Sequence, residues 1–353
     1  MTIAFQPRGV WTALVSPFGS DGKIDEARFK RLLAFQLDQG VDGVVPCGTT
    51  GESPTLSWQE HDHLIDVTVA TVGDRAGVLA GTGSNNTAEA VRGSRHAAES
   101  GVSAVLLVDC YYNGPSSLEL RTEYYERVLQ AVPDLPIVPY VIPGRSGCAL
   151  SAEDLALMHL RDPKRVPAVK QATGDMDRMR RERELCGESL AIISGDDHLT
   201  LRMMGDAAIG CSGVISVMSN LVPAAMTEMV RAQAEGDTQK AGAVAHSLAP
   251  LTGLVGCSVI STRALPDGRE VEVEDRFRNP LPVKTMMAGL GMIEPVARPP
   301  LGKMTAPAVG LLRDALRQVY EATPEHLKPI EQAFDVNVGA RLDDDGIWDS
   351  LGI

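Results

Sequence analysis

Lys170 closes the apolar run VPAVK, and an amine in that place has more chemical latitude than any other group in this sequence. A free lysine titrates near ~10.4 and is almost wholly protonated at neutral pH; partial burial lowers that value and frees a neutral amine. A neutral amine attacks a carbonyl to give a Schiff base, which withdraws electrons from the neighbouring carbon. Such chemistry needs protons moved to and from the adduct. Tyr140, Tyr112 and Thr49 end three other apolar runs and offer hydroxyls for that relay. Thr49 and Thr50, followed by Gly51, can present hydroxyls and backbone N–H groups to a carboxylate, or simply make a tight turn with a helix cap. Arg145, in Pro-Gly-Arg-Ser-Gly, can grip a second carboxylate with its planar fork, or be a surface arginine. Taken alone, Lys170 leaves two readings open: a nucleophile, or a strand-end lysine that snorkels or pairs with Asp196.

These residues need a scaffold that brings strand ends together. Eight short apolar runs recur along the chain: VWTALVSPF, GVVPC, AGVLAG, SAVLLVDC, PIVPYVI, VPAVK, LAIIS and IGCSGVISV. They are apolar throughout rather than alternating, the pattern of parallel strands buried on both faces. Between them lie segments with apolar residues at helical spacing. EARFKRLLAFQLDQG ends in Gly40, a glycine stop, while Ser57 stands three residues before Glu60 and Ser151 precedes Glu153 and Asp154, both helix-start signals. Eight strand–helix units predict an α/β fold, a TIM (β/α)₈ barrel over 1–235, whose chemistry sits at the C-terminal strand ends. A helical region over 236–322 should follow, with a hairpin near 258–275 turned by Pro266-Asp267-Gly268. The last stretch, 323–353, is weakly periodic and acidic at Asp343, Asp344 and Asp345, and reads as a poorly packed tail or a strap over a neighbour. The open doubly wound sheet is the competing architecture. Its glycine fingerprint is missing, because GTGSNN at Gly81 has Asn86 where a third glycine is required.

Composition removes several classes of function. Lys plus Arg is 33 against 46 for Asp plus Glu, a net charge of −13, which argues against binding nucleic acid or an anionic membrane. No apolar run approaches the roughly 18–20 residues of a membrane span. The N-terminus lacks the layout of a secretory signal, so the six scattered cysteines are expected to be reduced thiols in the cytoplasm. They form no zinc motif, and Asp196, Asp197 and His198 are adjacent on one turn and cannot all face one ion, so no metal is expected.

The set GTTGE, YYN, a Tyr before I-P-x-R-x-G, V-K-x-A-T-G, S-G-D-D and G-V-I-S-V, from about Gly9 to about Val319, resembles the dihydrodipicolinate synthase (4-hydroxy-tetrahydrodipicolinate synthase) family. That family lies in the N-acetylneuraminate lyase superfamily of class I, pyruvate-dependent aldolases. The resemblance implies condensation of pyruvate with L-aspartate 4-semialdehyde, the entry to diaminopimelate and lysine, with no cofactor beyond the covalent Schiff base of pyruvate on Lys170. It makes Tyr140 the central acid/base, linked to Thr49 and to a Tyr112 that crosses a dimer interface, so a homodimer or homotetramer is expected. Thr50 joins Thr49 on the pyruvate carboxylate, Arg145 meets the aldehyde's carboxylate, and Gly195 and the Ile215 main chain line the pocket. It also implies an L-lysine effector site from Ser53, Trp58, His61, Asn85, Glu89 and Tyr111. Here Glu89 would meet an amine, and Trp58 and Tyr111 would flank the stem.

The chain departs from the family at Val141 (usually Asn), Gln171 (usually Glu) and Cys110 (usually Pro), and in its hairpin and tail. These departures bear on the aldehyde partner more than on Schiff-base chemistry. Another aldolase or hydratase of the superfamily, acting on a sugar acid or an aromatic aldehyde, would share Lys170 and Tyr140 but not depend on Arg145. A non-catalytic barrel subunit is the reading from a different class.

Overall fold

The computed structural model describes residues 3–353. Eight parallel strands close into a barrel in sequence order: β1 (Gly9–Ala13), β2 (Gly43–Val45), β3 (Gly77–Gly81), β4 (Ala104–Val108), β5 (Ile137–Val141), β6 (Ala168–Gln171), β7 (Ala191–Ser194) and β8 (Gly213–Ser216), with β8 pairing back onto β1. Each strand is shorter than the apolar run that encodes it, and the remaining residues of the runs enter the connections at one end of the strand or the other. The intervening helices are α1 (Glu26–Asp38), α2 (Trp58–Val72), α3 (Thr87–Ser100), α4 (Glu126–Ala131), α5 (Ala152–Arg161), α6 (Met176–Cys186), α7 (Thr200–Gly205) and α8 (Pro223–Ala234). Their starts follow local chemistry: Ser57 and Glu60 form a reciprocal capping box at α2, and the Ser151 hydroxyl accepts from the Asp154 N–H at α5. Gly40, just beyond α1, adopts a positive φ of 78°, where a side chain would be strained.

Two apolar layers result. The outer one lies between strands and helices; the inner one fills the barrel with Trp11, Leu79, Leu106, Val138, Ile193 and Ile215, with Tyr140 at its edge. Trp11 needs room that only glycine gives. A Cβ at Gly43 would lie 2.2 Å, and one at Gly77 2.3 Å, from its ring. The indole N–H donates to the Arg8 carbonyl at 3.0 Å. Asn220 ties the strand ends together, donating to the Ala13 carbonyl (2.7 Å) and accepting from the Val15 N–H (3.2 Å).

Beyond the barrel come α9 (Thr238–Thr252), a two-stranded antiparallel hairpin of β9 (Cys257–Ala264) and β10 (Glu270–Phe277), α10 (Leu281–Gly289) and α11 (Ala306–Ala322). The stretch from 323 corrects the expectation of a poorly packed tail. It folds as short helices, Lys328–Phe334, Val338–Asp343 and Asp345–Leu351, that bury Ile330, Phe334, Val338, Leu342, Trp348 and Leu351 against the same chain. Gly289 leaves the space for Trp348, since a Cβ there would lie 2.3 Å from the indole. The acidic run is capping chemistry: Asp344 accepts from the Ile347 N–H, and Asp345 pairs with Arg313 at 2.6 Å. Helices this short carry too few turns to leave a readable period.

Candidate active site

Lys170 and Tyr140 are register partners on β6 and β5, so their side chains enter the mouth at the same level. The Lys170 Nζ lies 4.1 Å from the centre of the Tyr140 ring. Both are buried, at 6% exposure each. Burial lowers the Lys170 pKa to about 8; the negative charges of Asp196 and Asp197 oppose that shift and Arg145 adds to it. Burial pushes the Tyr140 phenol up to about 12, with Arg145 and a hydrogen bond to the Thr49 side chain pulling the other way. The amine is therefore poised to shed its proton, while the phenol keeps one to give.

The neighbouring loops complete the floor. Thr50 is buried, and its hydroxyl oxygen accepts from the Asn279 amide at 3.0 Å, which leaves its own proton to donate. Glu52 holds this loop from below. It makes a buried ion pair with Lys284 and accepts from the Arg298 N–H at 3.0 Å. Lys284 also donates to the Ser16 carbonyl at 3.0 Å. Arg145 sits on the helical turn Pro143–Ser146 and donates to the Asn279 carbonyl at 2.7 Å. Gly195 touches the lysine stem: a Cβ there would come within 3.1 Å of the Lys170 Cε and 2.8 Å of the Ala172 Cβ. Together these groups border a mouth of about 600 Å³.

Lys170, Tyr140, Thr49, Thr50, Arg145 and Gly195 are thus brought to one cavity. The Ile215 side chain lies in the layer within the barrel, and Val217 borders the cavity from that strand end. Tyr112 is not brought to the site of its own chain. It stands 89% exposed at a positive φ of 81°, a conformation that costs a bulky residue free energy. Asp109 anchors the turn before it, accepting from the Tyr125 hydroxyl (2.5 Å) and the Leu150 N–H (3.2 Å). Asn279 and Lys284 were missed by sequence reasoning; Glu52 closes the GTTGE motif, but nothing local shows that it pairs with Lys284. The one signal for Asn279 is its place in Asn-Pro-Leu-Pro, at the start of a helix that follows the hairpin.

A second cavity of about 260 Å³ gathers Ser53, Trp58, His61, Asn85, Glu89 and Tyr111. Burial lowers the His61 pKa to about 4, so this imidazole is neutral. Its Nε2 lies 2.7 Å from the Gly81 carbonyl and must carry the proton, which leaves Nδ1 as an unpartnered acceptor. The Trp58 ring centre is 4.9 Å from that of His61, and the Glu89 carboxylate accepts from the Ser84 hydroxyl at 2.6 Å. Tyr111, Ser53, Pro54 and Gly83 also line a cleft of about 200 Å³ that reaches Thr49 and Tyr140.

A closed (β/α)₈ barrel that sets a lysine with a lowered pKa against a phenol–hydroxyl pair at its strand ends has the equipment of a class I, Schiff-base lyase. The chain belongs to the dihydrodipicolinate synthetase family, whose model matches residues 6–319. It is 40% identical over 311 residues, 88% of this chain and 98% of the other, to a 4-hydroxy-tetrahydrodipicolinate synthase of Nitratidesulfovibrio vulgaris. The crystal structure of dihydrodipicolinate synthase from Aquifex aeolicus superposes with a TM-score of 0.78 at 36% identity, covering 91% of this chain and 99% of that one. The enzyme from Cyanidioschyzon merolae, solved with lysine bound, gives a TM-score of 0.79 at 30% identity, covering 89% and 99%. Among the described residues, no helix is long and apolar enough to cross a membrane.

Proposed function

We propose that this chain condenses pyruvate with L-aspartate 4-semialdehyde to give 4-hydroxy-tetrahydrodipicolinate, the activity its relatives are named for. The observation that carries the reading is the Lys170 amine, buried, titrating near 8 and 4.1 Å from the Tyr140 ring. The neutral amine attacks the ketone of pyruvate, and the oxygen leaves as water after protonation through Tyr140 and Thr49. The resulting iminium is the electron sink, and no added cofactor enters. Loss of a methyl proton gives the enamine, whose carbon bonds to the aldehyde carbon while the aldehyde oxygen takes up a proton. The acceptor's own amine then attacks the iminium carbon, closes the ring and releases Lys170. Thr49 and Thr50 hold the pyruvate carboxylate. Arg145 attracts that of the aldehyde, which sets this reading above a sugar-acid or aromatic-aldehyde lyase.

Tyr112, exposed and backbone-strained, is read as a relay group donated to a second copy of the chain, so the working unit is at least a homodimer. The second cavity is read as an L-lysine effector site. Glu89 and the His61 Nδ1 supply acceptors for ammonium groups, and Trp58 and Tyr111 flank the stem. We read the reaction as cytoplasmic, a setting in which the six free cysteines stay reduced. An assay with pyruvate and aspartate semialdehyde, beside a panel of sugar-acid and aromatic aldehydes, tests the reading. Turnover of pyruvate only with another aldehyde would overturn the choice of acceptor, and no loss of rate at millimolar L-lysine would remove the effector.

A further inference from the structure

The foot of the β9–β10 hairpin forms one wall of the barrel mouth. Along β10 the side chains alternate: Val271, Val273, Asp275 and Phe277 are half-buried, while Glu270, Glu272, Glu274 and Arg276 are exposed. The exposed face is acidic toward the tip and turns basic where the strand meets the barrel, at Arg276 and then Arg278. Both arginines border the cavity that holds Lys170 and Arg145. Arg278 donates to the Gly144 carbonyl at 2.9 Å, and Arg145 donates to the Asn279 carbonyl at 2.7 Å, so each arginine holds the backbone beside the other. This clasp keeps two like charges together. Among the described residues, no carboxylate lies within 4.0 Å of Arg145, Arg276 or Arg278, although Glu274, Asp196 and Asp197 border the same cavity. Like charges held close without a counter-charge repel, and an arriving anion relieves that cost. The chain as a whole is strongly negative, with a net of −13, so an anion approaching the mouth depends on such a local positive field.

We propose that Arg276 and Arg278 form, with Arg145, an anion clamp that takes the carboxylate of the acceptor aldehyde and holds it over the pyruvate adduct. The hairpin is then a specificity device that favours carboxylate-bearing aldehydes over neutral ones. The identity of the adduct rests on the Schiff-base reading above; the clamp itself rests on the hairpin.

Among the described residues, the Arg276 side chain makes no hydrogen bond or ion pair, so Arg276→Ala and Arg276→Glu break no polar contact of the fold. The KM for aspartate semialdehyde should rise about fivefold in Arg276→Ala, the scale of one solvent-screened charged contact, and further in Arg276→Glu and in the Arg276→Ala/Arg278→Ala double variant. In the single Arg276 variants the KM for pyruvate and kcat should stay within about twofold, and competitive inhibition by succinate against the aldehyde should weaken in step. An aldehyde KM unchanged in Arg276→Glu would overturn the clamp. If the wild-type chain turns over no aspartate semialdehyde, the activity reading fails separately. Calorimetric titration of succinate then decides the clamp, and equal affinity in wild type and Arg276→Glu overturns it.

Discussion

Lys170→Met replaces a buried amine by an apolar chain of similar length, and its effect on stability follows from titration. The amine holds its proton to about 8 in the folded chain, against 10.5 for an ordinary lysine. Between those pH values the unfolded chain keeps the proton and the folded chain sheds it, so wild-type stability rises with pH across the window. Below about 8 the folded chain carries a buried ammonium and bears the whole cost, which is about 3 kcal/mol for that difference in pKa. Methionine removes the ammonium and packs without leaving a void. Lys170→Met is therefore expected to be inactive yet more stable than wild type by up to about 3 kcal/mol at pH 7, shrinking to about 1 kcal/mol at pH 10. Urea denaturation of both proteins at the two pH values measures this. A variant less stable than wild type at pH 7, or a gap that does not change with pH, would refute the argument that burial lowers this pKa. The same shift has a kinetic side: at pH 7 about a tenth of the Lys170 amines are neutral, against about one in three thousand for a free lysine.

Tyr140→Phe keeps the ring against Lys170 but removes the proton relay, so kcat should fall by about 10²–10⁴ while the fold is retained; unchanged kcat would displace Tyr140 from the relay. Gly43→Ala drives a methyl into Trp11 and should cost about 1–3 kcal/mol or more in chemical denaturation, with Gly43→Ala/Trp11→Leu recovering part of it. Mixing inactive Tyr112→Phe with inactive Lys170→Met chains should restore some activity if Tyr112 serves a neighbouring copy, and mixtures as inactive as their parents would contradict that role. Glu89→Ala should shift inhibition by L-lysine to at least about tenfold higher concentration with little change in kcat.

The barrel was legible because its strands are buried on both faces, and eight continuous apolar runs punctuated by capped helices admit few other folds. Lys170, Tyr140 and Thr49 were legible for a related reason: polar side chains closing apolar runs must point into the mouth. The supports were not. Asn279 reaches Thr50 across 229 positions of sequence and Lys284 reaches Glu52 across 232, and no local pattern encodes such pairings. Ile215 and Val217 differ by one strand repeat, and which of them faces the cavity depends on where β8 ends. The tail was misread because its order comes from capping aspartates and from a glycine pocket for Trp348 on another helix, not from an amphipathic period. The hairpin was visible from its turn residues, but its bearing on the mouth came only from the register that sets Arg276 beside the cavity.

Reduction of the chain with borohydride in the presence of pyruvate, followed by peptide mass mapping, tests the central claim most directly. The Schiff-base account predicts one stable pyruvate-derived adduct, on Lys170, absent in Lys170→Met and more abundant as the pH rises from 6 to 8. No adduct, or an adduct on another lysine with Lys170 unmodified, would contradict it.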